Sequence, residues 1–317
     1  MKYIASLALI LFISASSAAQ KSDANKFVVI INGPGGEPAY TKQFSEWTAQ
    51  LSSLLAQRYT FDPKQIKVLT DKEANAEEVK RTFTTLKSSL DANNVLFVFL
   101  IGHGSFDGKE AKFNLVGPDL SAADYNQLLT ALPTRRIVVF NMSSASGEFV
   151  KSLSAKGRII ITATRNGQET NATRFAGFFI NALTATDGDT DQDGHTSVLE
   201  AFVYANRLTE EFYKRAGRLA TEHALLDDNG DGIGREKAEA GEGLLARATY
   251  LDSLSIDEAA ATAATGKLLK ERTRLEGEIE QLIARKAFMP ETEYEAALER
   301  LFIELAKVNR SIRQAGT

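Results

Sequence analysis

The chain of 317 residues contains no cysteine. That excludes disulfides, thiolate zinc sites, a thiol nucleophile and lipid attachment through cysteine. Stability outside the cytoplasm must then come from an apolar core and from any metal the chain binds. Proline is sparse, with 6 residues, and tryptophan occurs once. No charge of one sign dominates: 37 Lys and Arg stand against 41 Asp and Glu, for a formal net charge of −4. The basic footprint of a nucleic-acid binder is missing, and no nucleic-acid-binding signature occurs. Past the first residues, no segment is long and apolar enough to cross a bilayer.

The amino terminus reads as a secretory signal. Lys2 supplies a short positive region, and residues 4–13 form an apolar run too short to span a membrane. Ser17-Ala18-Ala19 then sets small residues at the −3 and −1 positions, so cleavage is expected before Gln20. This gives a signal peptide over residues 1–19 and a periplasmic or secreted destination. The alternative is an uncleaved anchor, which the short run and the small polar residues after it disfavour.

From Phe27 the pattern alternates. FVVII at 27–31 is a continuous apolar run of buried-strand type. Phe44, Trp47, Leu51 and Leu54 recur at helical spacing. Residues 66–69 form a short strand, and Val79, Phe83, Leu86 and Leu90 mark a second helix. VLFVFLI at 95–101 is the most apolar strand and is expected at the sheet's centre. Tyr125, Leu128, Leu129 and Leu132 mark a short helix. IVVF at 137–140 and IIIT at 159–162 are further buried strands, separated by a short helix after Gly147. Phe175, Phe178, Phe179 and Ala182 line another helix. Alternating strands and helices imply parallel pairing through right-handed crossovers. Continuous apolar strands imply helices on both faces. The expected architecture is an α/β/α sandwich with its site at the carboxyl ends of the strands.

Beyond about residue 215 the composition changes. Residues 216–254 read as an acidic, Gly-rich linker region, with loop over 227–243. Residues 255–314 are rich in Ala, Glu, Lys, Leu and Arg and favour helix. Leu268, Leu275, Ile279 and Leu282 make one stripe, Pro290 interrupts it, and Leu298, Leu301, Leu305, Val308 and Ile312 form a brief heptad-like seam. A helical hairpin follows, packed on itself, on the main domain or on a protein partner.

Two strand ends carry candidate chemistry. The strand at 95–101 runs into Gly102-His103-Gly104-Ser105, and that at 137–140 into Asn141-Met142-Ser143-Ser144-Ala145-Ser146-Gly147. As neighbours in a parallel sheet, their ends would lie roughly 5 Å apart. Glycines around His103 would leave amide N–H groups accessible, as an oxyanion hole requires. The alternative is a loop histidine beside serines that cap the next helix.

These motifs resemble the caspase/legumain superfamily, its legumain (asparaginyl endopeptidase) branch above all. That family carries an apolar strand ending in His-Gly-Ser, matched by His103-Gly104-Ser105. It also carries a strand ending in a small-residue turn with the nucleophilic cysteine, one residue, then Ser-Gly. Ser144-Ala145-Ser146-Gly147 stands there, with Ser144 at the nucleophile position. The resemblance runs from about Phe27 to about Tyr213 and implies a caspase-like fold acting on a peptide or protein. His103, Ser144 and the N–H groups of Gly104 and Ser144 would form its site. The departures are specific. Met142 replaces an acid of the legumain specificity pocket, and Ala39-Tyr40-Thr41-Lys42-Gln43 lacks that pocket's arginine. Gly102 replaces the acid before the histidine, and asparagine specificity is not implied. A serine hydroxyl, unlike a thiol, needs a base that takes its proton during attack. The family histidine acts mainly on the leaving group, and losing an activated nucleophile costs about a million-fold in rate. No acid to orient His103 is identifiable beyond Asp107, near in sequence. A nucleophile elbow, Gly-x-Ser-x-Gly, does not fit around Ser144. Two readings stand: a hydrolase using Ser144 and His103, or an inactive binding or scaffold protein on the same fold.

The strongest local motif is a calcium loop. Residues 189–200 fit a twelve-residue EF-hand. Asp189, Asp191 and Asp193 stand at positions 1, 3 and 5, and Gly194 at the turn. His195 offers its carbonyl at position 7, Ser197 sits at 9 and Glu200 at the bidentate position 12. The alternative is an acidic helix N-terminus. A structural Ca2+ is the expected cofactor. A second run, Asp227-Asp228-Asn229-Gly230-Asp231-Gly232, starts similarly but has Ala238 at its twelfth position. It reads as a turn or an incomplete site, and His223 as structural. Gly33-Pro34-Gly35-Gly36 lacks the rest of a phosphate-loop motif and reads as a turn bordering the site.

Overall fold

The computed structural model describes residues 25–315, apart from residue 60, 193–194, 239–241, 252–266 and scattered positions between 269 and 288. The expected signal peptide at 1–19 lies outside the described residues. Six strands form the main sheet: β1 (Lys26–Asn32), β2 (Ile66–Leu69), β3 (Val95–Ile101), β7 (Arg136–Asn141), β8 (Arg158–Thr162) and β9 (Leu225–Asp227). Their order is β2-β1-β3-β7-β8-β9, parallel except for β9.

The continuous apolar strands are explained by what covers them. Successive side chains point to opposite faces. In β1, Val28 and Ile30 enter one core and Val29 and Ile31 the other. The first core receives Phe44, Leu51 and Leu55 of α1 (Pro38–Gln57). It also receives Phe175 and Phe179 of α5 (Phe175–Ala182) and Phe202 of α6 (Val198–Arg215). The second holds Val79, Phe83 and Leu86 of α2 (Ala76–Ser89) and Tyr125 and Leu129 of α3 (Ala122–Thr130). Phe149 and Leu153 of α4 (Phe149–Leu153) complete it. The molecule is therefore an α/β/α sandwich with a mainly parallel sheet, as the periodicities require. At its centre Phe99 stacks on Phe140, with ring centroids 4.4 Å apart, and Phe140 meets Phe179 at 4.8 Å.

Local chemistry fixes where helices begin. Asn75 accepts a hydrogen bond from the Glu78 amide at the start of α2, and Ser121 forms a capping box with Asp124 at the start of α3. A small antiparallel sheet of β4 (Gly104–Phe106), β5 (Ala111–Phe113) and β6 (Leu120–Ser121) leaves the main sheet directly after His103.

The segment 216–254, expected as a linker, supplies two elements. Buried Leu225 and Leu226 add β9 antiparallel to β8. The short α7 (Leu244–Arg247) follows. A three-residue strand carries too little periodicity to separate from a loop. At the carboxyl end, α8 (Glu291–Ala315) packs against helical residues between 267 and 282. Leu275, Ile279 and Leu301 are buried there, with Leu282, Leu298, Leu305 and Val308 alongside. Among the described residues, no helix is long and apolar enough to cross a membrane.

Candidate functional site

The sheet register brings the two motifs together. Leu100 of β3 pairs with Asn141 of β7, and the Met142 amide donates to the Leu100 carbonyl at 2.9 Å. The chain therefore leaves both strands side by side. Ser144 and Gly104 then join in a reciprocal pair. The Gly104 amide donates to Ser144 Oγ at 3.1 Å, and Ser144 Oγ lies 3.2 Å from the Gly104 carbonyl, to which it donates. Position 104 requires glycine for a steric reason. A Cβ there would lie 2.3 Å from the Ser144 carbonyl and 2.8 Å from Ser143 Oγ. The serine hydroxyl is buried, with Ser144 only 1% exposed.

His103 faces elsewhere. Its Nε2 lies 3.2 Å from the Gly35 carbonyl, which can only accept, so the bond needs a proton on that nitrogen. The imidazole meets the rings of Tyr40 and Phe44 edge-on, each centroid 5.1 Å away. No hydrogen bond links His103 to Ser144. Asp107, the carboxylate nearest in sequence, accepts from the amides of Lys109 and Glu110. Those bonds hold its carboxyl below the usual range and close the β4–β5 turn.

Several other polar groups of the turn are also engaged, while the buried Asn141 Nδ2 has no hydrogen-bond partner among the described residues. Asn141 Oδ1 accepts from Ser143 N and Ser143 Oγ. Ser146 Oγ accepts from the amides of Ala163 and Thr164, just past β8. The Gly147 amide donates to Thr164 Oγ1 at 3.1 Å. Ala145 adopts φ 52°, a left-handed conformation costing a non-glycine residue about 1–2 kcal/mol. Its amide donates to the Glu169 carbonyl at 2.8 Å, which holds the turn in that state.

No family model matches this chain, and no curated protein matches it. Solved structures similar to it include protein GSU0716 from Geobacter sulfurreducens, at 12% identity and a TM-score of 0.44. That alignment covers 64% of this chain and 92% of the other. Caspase-1 from Spodoptera frugiperda aligns at 10% identity and a TM-score of 0.40, over 64% of this chain and 86% of the other.

Sequence reasoning missed two groups near this edge. His223 Nδ1 lies 2.5 Å from Glu169 Oε1, and the His223 amide donates to Glu169 Oε2. Glu222, 2% exposed, accepts from the amides of Arg174 and Phe175 and from the Tyr213 hydroxyl. Burial pushes its carboxyl up, while those donors oppose the shift. Glu169 and His223 lie 54 residues apart, so no local spacing could pair them.

The acidic loop of residues 189–200 is described except at positions 193 and 194. Carboxylate oxygens of Asp189, Asp191 and Glu200 lie within 4.8 Å of one another. Ser197 caps α6 in a box with Glu200: Ser197 N and Oγ donate to Glu200 Oε2, at 2.9 and 2.8 Å. Glu200 Oε1 accepts from Thr190 N, Thr190 Oγ1 and Asp191 N. Glu200 thus folds the loop back on the helix start. A hard cation favours such an all-oxygen set, and three carboxylates this close repel without one. His195 sets its ring 6.2 Å from that of Tyr250.

The second acidic run gathers differently. Glu242, wholly buried, supplies the carboxylate that Ala238 lacks and joins Asp227 and Asp231. An arginine contacts it: Arg235 Nη1 lies 2.5 Å from Glu242 Oε2, and Nη2 lies 2.7 Å from Asp231 Oδ2. Burial and the nearby Asp228 push the Glu242 carboxyl up to about 7. A raised carboxyl stabilises the fold while protonated, so its contribution is present below about 4.5 and is lost as pH rises through about 7. We expect Glu242→Gln to flatten that portion of the curve of thermal midpoint against pH. An unchanged slope in the variant would contradict it.

Proposed function

We propose that this chain is a catalytically silent α/β protein of peptidase-like fold, a calcium-stabilised binding or scaffold protein. The peptidase-like part rests on the resemblance carried by His103-Gly104-Ser105 and Ser144-Ala145-Ser146-Gly147. The observation that carries the silence is the pairing of Ser144 with Gly104. Attack by a serine needs an exposed oxygen and a base within about 3.2 Å. Ser144 is buried, and its hydroxyl donates to a carbonyl. The Gly104 amide, expected as an oxyanion donor, is directed at the same hydroxyl. The imidazole at 103 is bonded to Gly35 and packed against two aromatic rings. The hydrolase reading would require all of these contacts to rearrange.

A fluorophosphonate probe should leave the protein unlabelled, and peptide libraries should remain uncleaved. Labelling that disappears in Ser144→Ala would overturn the silent reading.

The ion is Ca2+, held by Asp189, Asp191 and Glu200, with Asp193, the His195 carbonyl and Ser197 completing the set that the loop motif implies. The oxygen-only donors and the folded-back Glu200 support this assignment. An ion bound only by the native state stabilises it by ~2.7 kcal/mol at about a hundred times Kd. Calcium should raise the melting temperature of the wild type and leave that of Glu200→Ala unmoved. The induced shift is the readout, because loss of the α6 cap lowers the variant's starting value. The absence of any shift in the wild type would contradict the assignment.

A further inference from the structure

The carboxyl end of α6 presents an apolar tip beside a group of cations. Leu219 is 91% exposed, and Phe212, in the last turn of the helix, is 36% exposed. One exposed leucine alone carries no meaning. This one is held out by a fixed turn. The Arg218 amide donates to the Tyr213 carbonyl at 3.0 Å and the Gly217 amide to the Lys214 carbonyl at 3.1 Å, with Gly217 at φ 62°. These are the paired bonds of a Schellman close. Just past the leucine, the Tyr213 hydroxyl bonds Thr221 Oγ1 at 2.9 Å and Glu222 Oε1 at 3.0 Å. Leu219 therefore has anchored chain on both sides and still stands in solvent.

The charge around the tip runs against that of the molecule. The chain carries a net −4, yet residues 212–221 hold Lys214, Arg215 and Arg218 and no acid. Arg174 adds a further cation, its guanidinium carbon 5.2 Å from the centroid of the Phe212 ring, which lies 6.3 Å from that of Phe178. All these cations are exposed. Of the flanking acids, Glu211 pairs with Arg207 and Arg215, Glu222 is buried, and Glu210 stands exposed further back on the helix. Lys214 and Arg218 form no ion pair among the described residues.

We propose that this tip docks the protein on an anionic lipid surface. Leu219 and Phe212 enter the acyl boundary, and Lys214, Arg215, Arg218 and Arg174 meet headgroup phosphates. A side chain exposed on nearly every side is best covered by a medium that closes around it, as lipid does. A protein partner covers it only with a matching hollow. Long basic side chains lay their stems along apolar groups and keep the charged head in the polar layer, so both kinds of residue are served at one depth. Apolar burial and attraction to anionic headgroups then add. The Schellman turn is already formed, so docking orders little backbone. The contact is peripheral, needs no spanning helix, and is independent of the acidic loop and of the state of Ser144.

Because the chain has no cysteine, one introduced thiol can carry a polarity-sensitive fluorophore. Placed on the full chain at Ala220→Cys, beside the tip, the label reads insertion locally, apart from the apolar run at residues 4–13. Phosphatidylglycerol vesicles should shift its emission to the blue, and phosphatidylcholine vesicles should leave it unmoved. Added NaCl should weaken the response. In the labelled chain, Leu219→Ser should weaken binding by at least about tenfold, the loss of one buried leucine. Arg218→Gln should weaken it by about fivefold, the loss of one charge at an anionic surface. Leu244→Ser, at an exposed leucine elsewhere, should bind like the parent. The substituted side chains are exposed, so the fold is kept, and circular dichroism checks this. No shift with phosphatidylglycerol would overturn the proposal. So would an equal response to both lipids that Leu219→Ser leaves unaltered. A shift with polyglutamate and none with vesicles would assign the tip to an acidic protein partner and overturn lipid docking.

Discussion

The structure depends on side-chain hydroxyls that tie together the carboxyl ends of three neighbouring strands. Ser144 joins the end of β7 to that of β3 through both backbone groups of Gly104. Ser146 joins the same turn to the end of β8 through the amides of Ala163 and Thr164. Parallel strands end in unpaired backbone groups, and here they are buried. Each left unsatisfied would cost about 1–3 kcal/mol. The hydroxyls supply both donors and acceptors at this rim, and they allow the β4–β6 arm to depart next to the β7 turn.

That role explains why serine is chemically apt at position 144. A thiol is a weak donor and a weak acceptor, whereas a hydroxyl donates once and accepts twice. The reciprocal bond with Gly104 uses this capacity and leaves the oxygen buried. The left-handed Ala145 beside it keeps a sharp turn of the kind associated with functional sites. The tight geometry is retained, while the groups that would drive chemistry are engaged elsewhere: His103 with Gly35, Asp107 with its own turn. Two further charged clusters stand out among the described residues. One is a loop of carboxylates with Arg272 beside it, and the other is a carboxylate cluster in contact with Arg235.

Much of this was legible before any coordinates. The runs at 27–31, 95–101, 137–140 and 159–162 are apolar at every position or nearly so, which requires cover on both faces, and all four became interior strands. The spacing of Phe44, Leu51, Val79, Phe83 and Tyr125 placed the covering helices. The nearness of the 103 and 144 loops followed from consecutive parallel strands. What the sequence could not supply is direction. His103 is drawn toward Tyr40 and Phe44 by ring packing, and nothing in the spacing of Gly102 and Gly104 encodes that. Strand β9 escaped because three residues carry no period. The Glu169–His223 and Arg235–Glu242 pairs escaped because their partners meet only through tertiary packing.

The central claim is that the Ser144 hydroxyl and the Gly104 amide hold each other as a structural tie. Native-state hydrogen exchange of the Gly104 amide tests it most directly. A half-buried amide bonded across the ends of two central strands should be protected far beyond an open loop, and Ser144→Ala should speed its exchange selectively. Rapid exchange of Gly104 in the wild type, at the rate of an open loop, would contradict the account.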